Sequence, residues 1–183
     1  MPVSRYALIV IDVQNYFFDP ASPAYLTGSA AIVPRIDRLV AAAGTAGAPV
    51  FFTVHRAPTA PGNLMAARYK RLPQGKECDL WRGIAIPPKP IMLEKEYYSA
   101  FHRTGLAARL RRRGIETIVL CGAMTHLCVD TTARHGFMLG FKPVVIADAC
   151  CSKDPAFHRA ALLALGHGFA GVVTTKEWVS HAR

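Results

Sequence analysis

The chain has 183 residues, 51% of them hydrophobic, and its 22 basic and 12 acidic side chains give a formal charge of +10. That length buries one core and is short for two, so residues 1–183 are expected to form a single domain. The charge first suggests nucleic acid, but the basic residues are scattered apart from Arg109, Arg111, Arg112 and Arg113, and no aromatic residues interleave with them. The base-stacking pattern is therefore excluded, and the arginine run reads as a solvated helix end favoured by the helix dipole, with no nucleic-acid partner.

Residues 6–13 (YALIVIDV) are almost continuously apolar and rich in β-branched side chains. This is the pattern of a strand buried on both faces in a parallel sheet. Asp12 interrupts it. An acid there caps a turn or sits in a buried ion pair; the C-terminal end of such a strand is also where open α/β sheets place their chemistry. Gln14, Asn15, Phe17 and Phe18 follow in a loop with Pro20 and Pro23. Across residues 30–43, Ile32, Ile36, Leu39 and Val40 recur at helical spacing, and Gly44 supplies a stop.

Residues 49–54 predict a second strand. From His55 to Pro88 the pattern is broken by Pro58, Pro61, Gly62, Pro73 and Gly75. So long an irregular stretch in a compact domain is usually functional, and it is expected to wall an active site and reach toward a neighbouring subunit. A short third strand at 91–93 ends in Glu94, Lys95 and Glu96. Then come a helix over 104–113 stopped by Gly114, a strand at 117–121, a helix over 128–140 and a strand at 144–147 ending in Asp148. An Ala/Leu-rich helix at 156–165 stops at Gly166, residues 171–174 form a sixth strand, and Trp178 lies in a short terminal helix. The alternation predicts an α/β protein: a single-domain, Rossmann-like, three-layer α/β/α sandwich with a six-stranded, mainly parallel sheet and right-handed crossovers.

The stretch 118–132, IVLCGAMTHLCVDTT, carries the chemistry. A strand breaks at Gly122, and Cys128 follows at the start of a predicted helix. Unpaired N–H groups and the positive end of the dipole there favour a thiolate, so Cys128 is expected to have a lowered pKa and to be a nucleophile. A buried structural cysteine fits the same position. Among histidines, His135 is a helical span of about 10 Å beyond Cys128, too far for proton transfer, and His126 either lines the pocket or sits in a solvated loop. The five cysteines lack the spacing of a disulfide framework or a CxxC zinc site, no leader pattern follows Met1, and no apolar run reaches the ~20 residues of a membrane span. A reducing, cytoplasmic setting with no membrane partner is expected.

Three segments together, DVQNYF after the first strand, EKEYYSAFHRTGL around Lys95 and CGAMTHLCVDTTARHGF around Cys128, resemble the isochorismatase-like cysteine hydrolases, which include nicotinamidases, N-carbamoylsarcosine amidases and ureidoacrylate-type amidases. The resemblance runs from Tyr6 to about Val179. It implies a catalytic triad of Asp12, Lys95 and Cys128 and a cis peptide between Ala123 and Met124; independently of it, a thiolate nucleophile needs an N–H pocket, and the backbone N–H groups of Met124 and Cys128, where the turn meets the helix, are the candidates for the oxyanion hole. The resemblance also implies C–N hydrolysis of a small amide, carbamoyl or ureido substrate through a thioester, and a homo-oligomer. Gln14, Phe17, His55, Tyr98 and His126 are the candidates for the substrate pocket, and Arg56, Arg68, Arg71 and Arg82 either hold a substrate carboxylate or belong to the surface. Nicotinamidases place a metal beside the triad; here Thr53 stands where their aspartate is expected and His55 remains, so no metal and no cofactor are expected. The alternatives are an isochorismatase-type hydrolase of a small anionic substrate and an inactive binding protein of the same fold. In a 3-2-1-4-5-6 sheet Lys95 would start one strand removed from Asp12, a gap the chain has to close.

Overall fold

Among the described residues the apolar runs become six strands, β1 (Tyr6–Ile11), β2 (Val50–His55), β3 (Ile91–Lys95), β4 (Thr117–Ala123), β5 (Lys142–Cys151) and β6 (Gly171–Val173). Seven α-helices of the described residues lie between and around them: α1 (Asn15–Phe18), α2 (Ser29–Thr45), α3 (Leu64–Arg68), α4 (Leu106–Arg111), α5 (Asp130–Met138), α6 (Pro155–Gly168) and α7 (Thr175–His181). The computed structural model describes residues 5–58, 62–69, 71–88 and 90–181. Pro61, one of the expected chain breaks, and the first residues, on which the absence of a leader was read, lie outside that set.

The strands form one sheet in the order β3-β2-β1-β4-β5-β6, with every pairing parallel. The order reverses between β1 and β4, which sends successive crossovers to opposite faces and opens a crevice at the strand ends. Helix α2 packs on β1, β2, β4 and β5 and against α7, while α5 and α6 pack on each other and on β5. Central β1 shows why its sequence is oily throughout: Ala7 to Ile11 are all within 1% of full burial. None of the helices among the described residues is long and apolar enough to cross a membrane. Of the basic run, Arg109 and Arg111 lie over the rings of Phe51 and Phe141 at 5.3 and 5.7 Å, so these two side chains cover the protein's own apolar surface.

Two expected helix stops are wrong. Helix α2 runs through Gly44 to Thr45, and two residues on Gly47, with a φ of 67°, lets the chain turn back so that the Ala48 N–H donates to the Ala43 carbonyl at 2.9 Å. Helix α6 likewise runs through Gly166 to Gly168. A glycine stops a helix where it adopts the left-handed conformation, and neither Gly44 nor Gly166 does. The other differences are unforeseen elements: α1 in what read as a loop, and α3 with a 3-10 turn over Gly75–Cys78 inside the irregular stretch. β5 is longer than expected, reaching Cys151, and a register shift between Leu120 and Gly122 interrupts its pairing with β4.

Candidate active site

The site begins where β1 ends. Continuing the register in which Val10 pairs with Phe52 puts Asp12 beside Val54, with its side chain on the face away from Thr53. Asp12 instead has a left-handed φ of 50°. The reversal breaks the alternation, and Thr53 secures it: its hydroxyl donates to Asp12 Oδ1 at 2.6 Å and accepts from the Asp12 N–H at 3.1 Å.

Lys95 closes β3, an edge strand, in register with His55 of β2. Two strand spacings of ~4.8 Å separate it from β1. Its four-carbon stem crosses that gap over the end of β2, so no later segment is needed to bring the amine back. The ammonium donates to Asp12 Oδ2 at 2.7 Å, to the Tyr97 carbonyl at 3.1 Å and to Cys128 Sγ at 3.3 Å. An ammonium has three N–H bonds, and each is used. Both side chains of the Lys95–Asp12 pair are fully buried. Burial pulls the Lys95 pKa down, but Asp12 and Cys128 outweigh it and leave the pKa above its ordinary value.

Cys128 arrives from the other side of the switch point. After β4 the chain makes a wide helical turn over Thr125–Val129, in which the Val129 N–H reaches back to the Met124 carbonyl at 3.2 Å, and α5 starts after it at Asp130. Cys128 is therefore inside this turn, two residues before the regular helix, and it does not open α5 as expected. The turn is fixed to α6 by the Thr125 hydroxyl against His158 Nδ1 at 2.8 Å. Gly122 lets β4 lie against β1: its φ is 114°, and a Cβ there would be 2.1 Å from the Ile11 carbonyl oxygen. The Ala123–Met124 peptide is cis. The expected low thiol pKa does not follow, because burial pushes Cys128 up to about 12, with Lys95 pulling it down only in part and the thiol hydrogen-bonded toward Asp12. The resting group is thus a thiol with a carboxylate acceptor beside it.

Above the three residues is a cavity of about 260 Å³ whose wall includes Cys128, His55, Phe17 and Tyr98. The irregular stretch supplies Met65, Tyr69, Arg71, Leu72 and Pro73, and Met124 and Leu127 close the side toward the wide turn. Two pocket candidates are placed elsewhere. Gln14 is buried, but its amide is spent on the backbone: it accepts from the His55 N–H at 2.7 Å and donates to the His55 and Cys78 carbonyls at 3.0 Å each. His126 turns away, bonded to Ser152 at 2.9 Å and stacked on Phe157 at 4.7 Å. His135 is held by Ser99 at 2.8 Å. Of the candidate arginines, Arg71 lines the cavity, bonded to Glu77 at 2.6 Å; Arg56 pairs with Glu94, Arg68 lies over Tyr69, and Arg82 is not on the wall. Sequence reasoning missed Lys153, which reaches the cavity from beyond β5, and Tyr69, whose hydroxyl meets that of Tyr98 at 2.5 Å. Neither has a motif around it.

A metal beside the triad does not fit these residues. Thr53 is engaged with Asp12, and among the described residues no three His, Cys, Asp or Glu side chains converge as an ion would need.

The isochorismatase-domain family model matches residues 6–177. Nicotinamidase 3 of Arabidopsis thaliana is 31% identical over 173 residues, covering 91% of this chain and 83% of that protein. A ureidoacrylate amidohydrolase of Methylobacterium radiotolerans is 33% identical over 202 residues, covering 94% and 75%. The crystal structure of a cysteine hydrolase from Pseudomonas syringae pv. phaseolicola superposes with a TM-score of 0.91 at 27% identity, covering 100% of this chain and 94% of that one.

Proposed function

The chain belongs to the isochorismatase family of hydrolases, and from that premise we propose that it is a metal-independent cysteine amidohydrolase cleaving the C–N bond of a small amide, carbamoyl or ureido compound. One observation carries the reading: Asp12, Lys95 and Cys128 meet in a single buried hydrogen-bonded cluster under a cavity of substrate size. The relatives named for amide substrates support the same bond type.

The chemistry follows from the charges. A thiol with its pKa near 12 is a poor resting nucleophile, so its proton has to leave as it attacks. Asp12 accepts that proton while the Lys95 ammonium, fixed at 3.3 Å from the sulfur, offsets the charge that develops there. The Met124 and Cys128 N–H groups hold the oxyanion of the tetrahedral intermediate. Asp12 returns the proton to the departing nitrogen, and a thioester remains. Water then attacks the thioester carbon, Asp12 takes one of the water's protons and passes it to the sulfur as the C–S bond breaks, and the carboxylic acid product releases its own proton to solvent. Thr53 is a positioning residue here, holding the carboxylate oxygen that does not face Lys95.

The test is ammonia release from a panel of small primary amides and carbamoyl compounds, with mass spectrometry for an acyl group on Cys128. We expect turnover of at least one member, unchanged after exhaustive chelation because the donor set for an ion is incomplete. Activity lost to the chelator and restored by a divalent ion would overturn the metal-independent assignment.

Among the described residues, the charged side chains on the cavity wall are two cations, Arg71 and Lys153. Arg71 is already paired with Glu77, and Lys153 is exposed at the rim. An exposed ion pair is worth about 0.2–1 kcal/mol. Lys153→Gln is therefore expected to raise KM for a carboxylate-bearing amide by about 1.5- to 5-fold and leave its neutral counterpart unchanged. Equal KM changes for the two substrates in steady-state assays would assign Lys153 a structural role instead.

A further inference from the structure

The side chains of the cavity wall are apolar where they are buried and charged where they are exposed. The buried part includes Phe17, Leu26 and Met65 together with Cys128, and half-buried Met124 and Leu127 continue it on the side of the wide turn. His55 is buried on the same wall, but its unpaired Nδ1 is closed to a group of water's size, and burial pushes its pKa down to about 4, so the ring is uncharged at neutral pH. The charged pair Asp12 and Lys95 is buried with no side-chain surface exposed and is not part of the wall.

Three tyrosine hydroxyls of the wall are turned onto protein groups. Those of Tyr69 and Tyr98 meet each other, and that of Tyr16 donates to the Arg71 carbonyl at 3.1 Å. The cations Arg71 and Lys153 are both exposed, and Tyr25 is partly so. Side-chain hydrogen bonds for a ligand are therefore offered at the mouth. The volume is modest as well: about 260 Å³, against about 300–1,000 Å³ for ligand pockets in general, while an apolar cavity of about 150 Å³ already takes benzene. A hydrocarbon placed against the buried wall gains by leaving water. An N–H or a charge in the same place gives up its hydration and finds no side chain to replace it.

We infer that the group held against this wall is a hydrocarbon, alkyl or aryl, so that the substrate is the primary carboxamide of an apolar acid, with any charged group at its far end beside Arg71 and Lys153. Ureido and carbamoyl compounds, which carry nitrogen on the acyl side of the scissile carbonyl, are the disfavoured part of the class proposed above. The inference rests on the reading of Cys128 as the nucleophile, which fixes where the carbonyl sits.

Matched pairs of ligands test it. Pentanamide and propylurea share a shape and differ by a methylene against an N–H beside the carbonyl; hydrocinnamamide and benzylurea differ in the same way. Dissociation constants come from calorimetry on Cys128→Ser, which lacks the thiol and holds these ligands with little turnover. Each urea should bind on the order of tenfold more weakly than its amide. From propanamide to pentanamide the affinity should rise about fourfold per methylene. A urea that binds as tightly as its amide, or an affinity that does not grow with the chain, overturns the inference. If the serine variant does not fold, the wild-type protein is titrated with methyl ethyl, methyl propyl and methyl butyl ketone, which have no C–N bond to cleave. A flat series there overturns the inference alone. Ammonia release from the wild type separates the two readings. Affinity that follows the apolar body with no ammonia from any amide keeps this inference and removes the amidase, whereas faster release from the ureas keeps the amidase and removes this inference.

Discussion

Cys128→Ser is expected to lower turnover of the best amide by at least about three orders of magnitude while leaving the fold in place. The thiol's pKa of about 12 is already high for a nucleophile, and an aliphatic hydroxyl is more weakly acidic still, so Asp12 has far less driving force to take its proton. Polarizability adds to the difference, since sulfur attacks an acyl carbon well even when only partly deprotonated. Serine is smaller and can keep hydrogen bonds to Lys95 and Asp12, so the denaturation midpoint should move little. The other four cysteines are free and none lines the cavity. Cys121→Ala therefore serves as the control, with turnover close to wild type. Steady-state kinetics on the serine variant decide the matter, and turnover near the wild-type rate would remove Cys128 from the nucleophile's role.

Lys95→Met should be inactive and also markedly less stable, by about 3–5 kcal/mol in urea denaturation. The lysine and Asp12 are both fully buried. Removing the cation strands a carboxylate in a site that water does not reach, leaving Thr53 as its remaining side-chain hydrogen-bond donor apart from the thiol. The companion experiment is Asp12→Asn combined with Lys95→Met, which discards both charges. The double variant should be equally inactive but should recover much of the lost stability, because the main cost of the single change is the uncompensated charge. A double variant that loses the sum of the two single effects would show that each residue matters for packing and that the pair is not coupled.

Much of the site was legible because its residues stand out against their surroundings. Asp12 is an acid in an oily run, and Cys128 follows a strand that stops at a glycine; each is unusual locally, and the resemblance added Lys95 to them. The strand-helix alternation announced a parallel sheet for a similarly local reason, since buried parallel strands need continuous apolar runs. Helix ends were read less well. Gly44 and Gly166 look like stops in the sequence, but whether a glycine ends a helix depends on its φ, which composition does not reveal.

The sequence by itself determined the layered α/β architecture, the order of the elements and the three residues at their ends, because periodicity and local chemistry record which faces are buried. Only the tertiary structure decided how those residues meet. The left-handed turn at Asp12 brings its carboxylate onto the Thr53 face, and the lysine of an edge strand reaches it across β2. Burial then reverses the expected direction of the Cys128 pKa, because removing a thiol from water disfavours its anion more than one nearby ammonium restores it. The wall is likewise a product of folding. Tyr69, Arg71 and Lys153 share no motif, and Gln14 looked like a pocket residue until its amide was found bound to backbone. Such roles depend on which side chains meet across the chain, and the distances that set them exist once the sheet has brought its strand ends together.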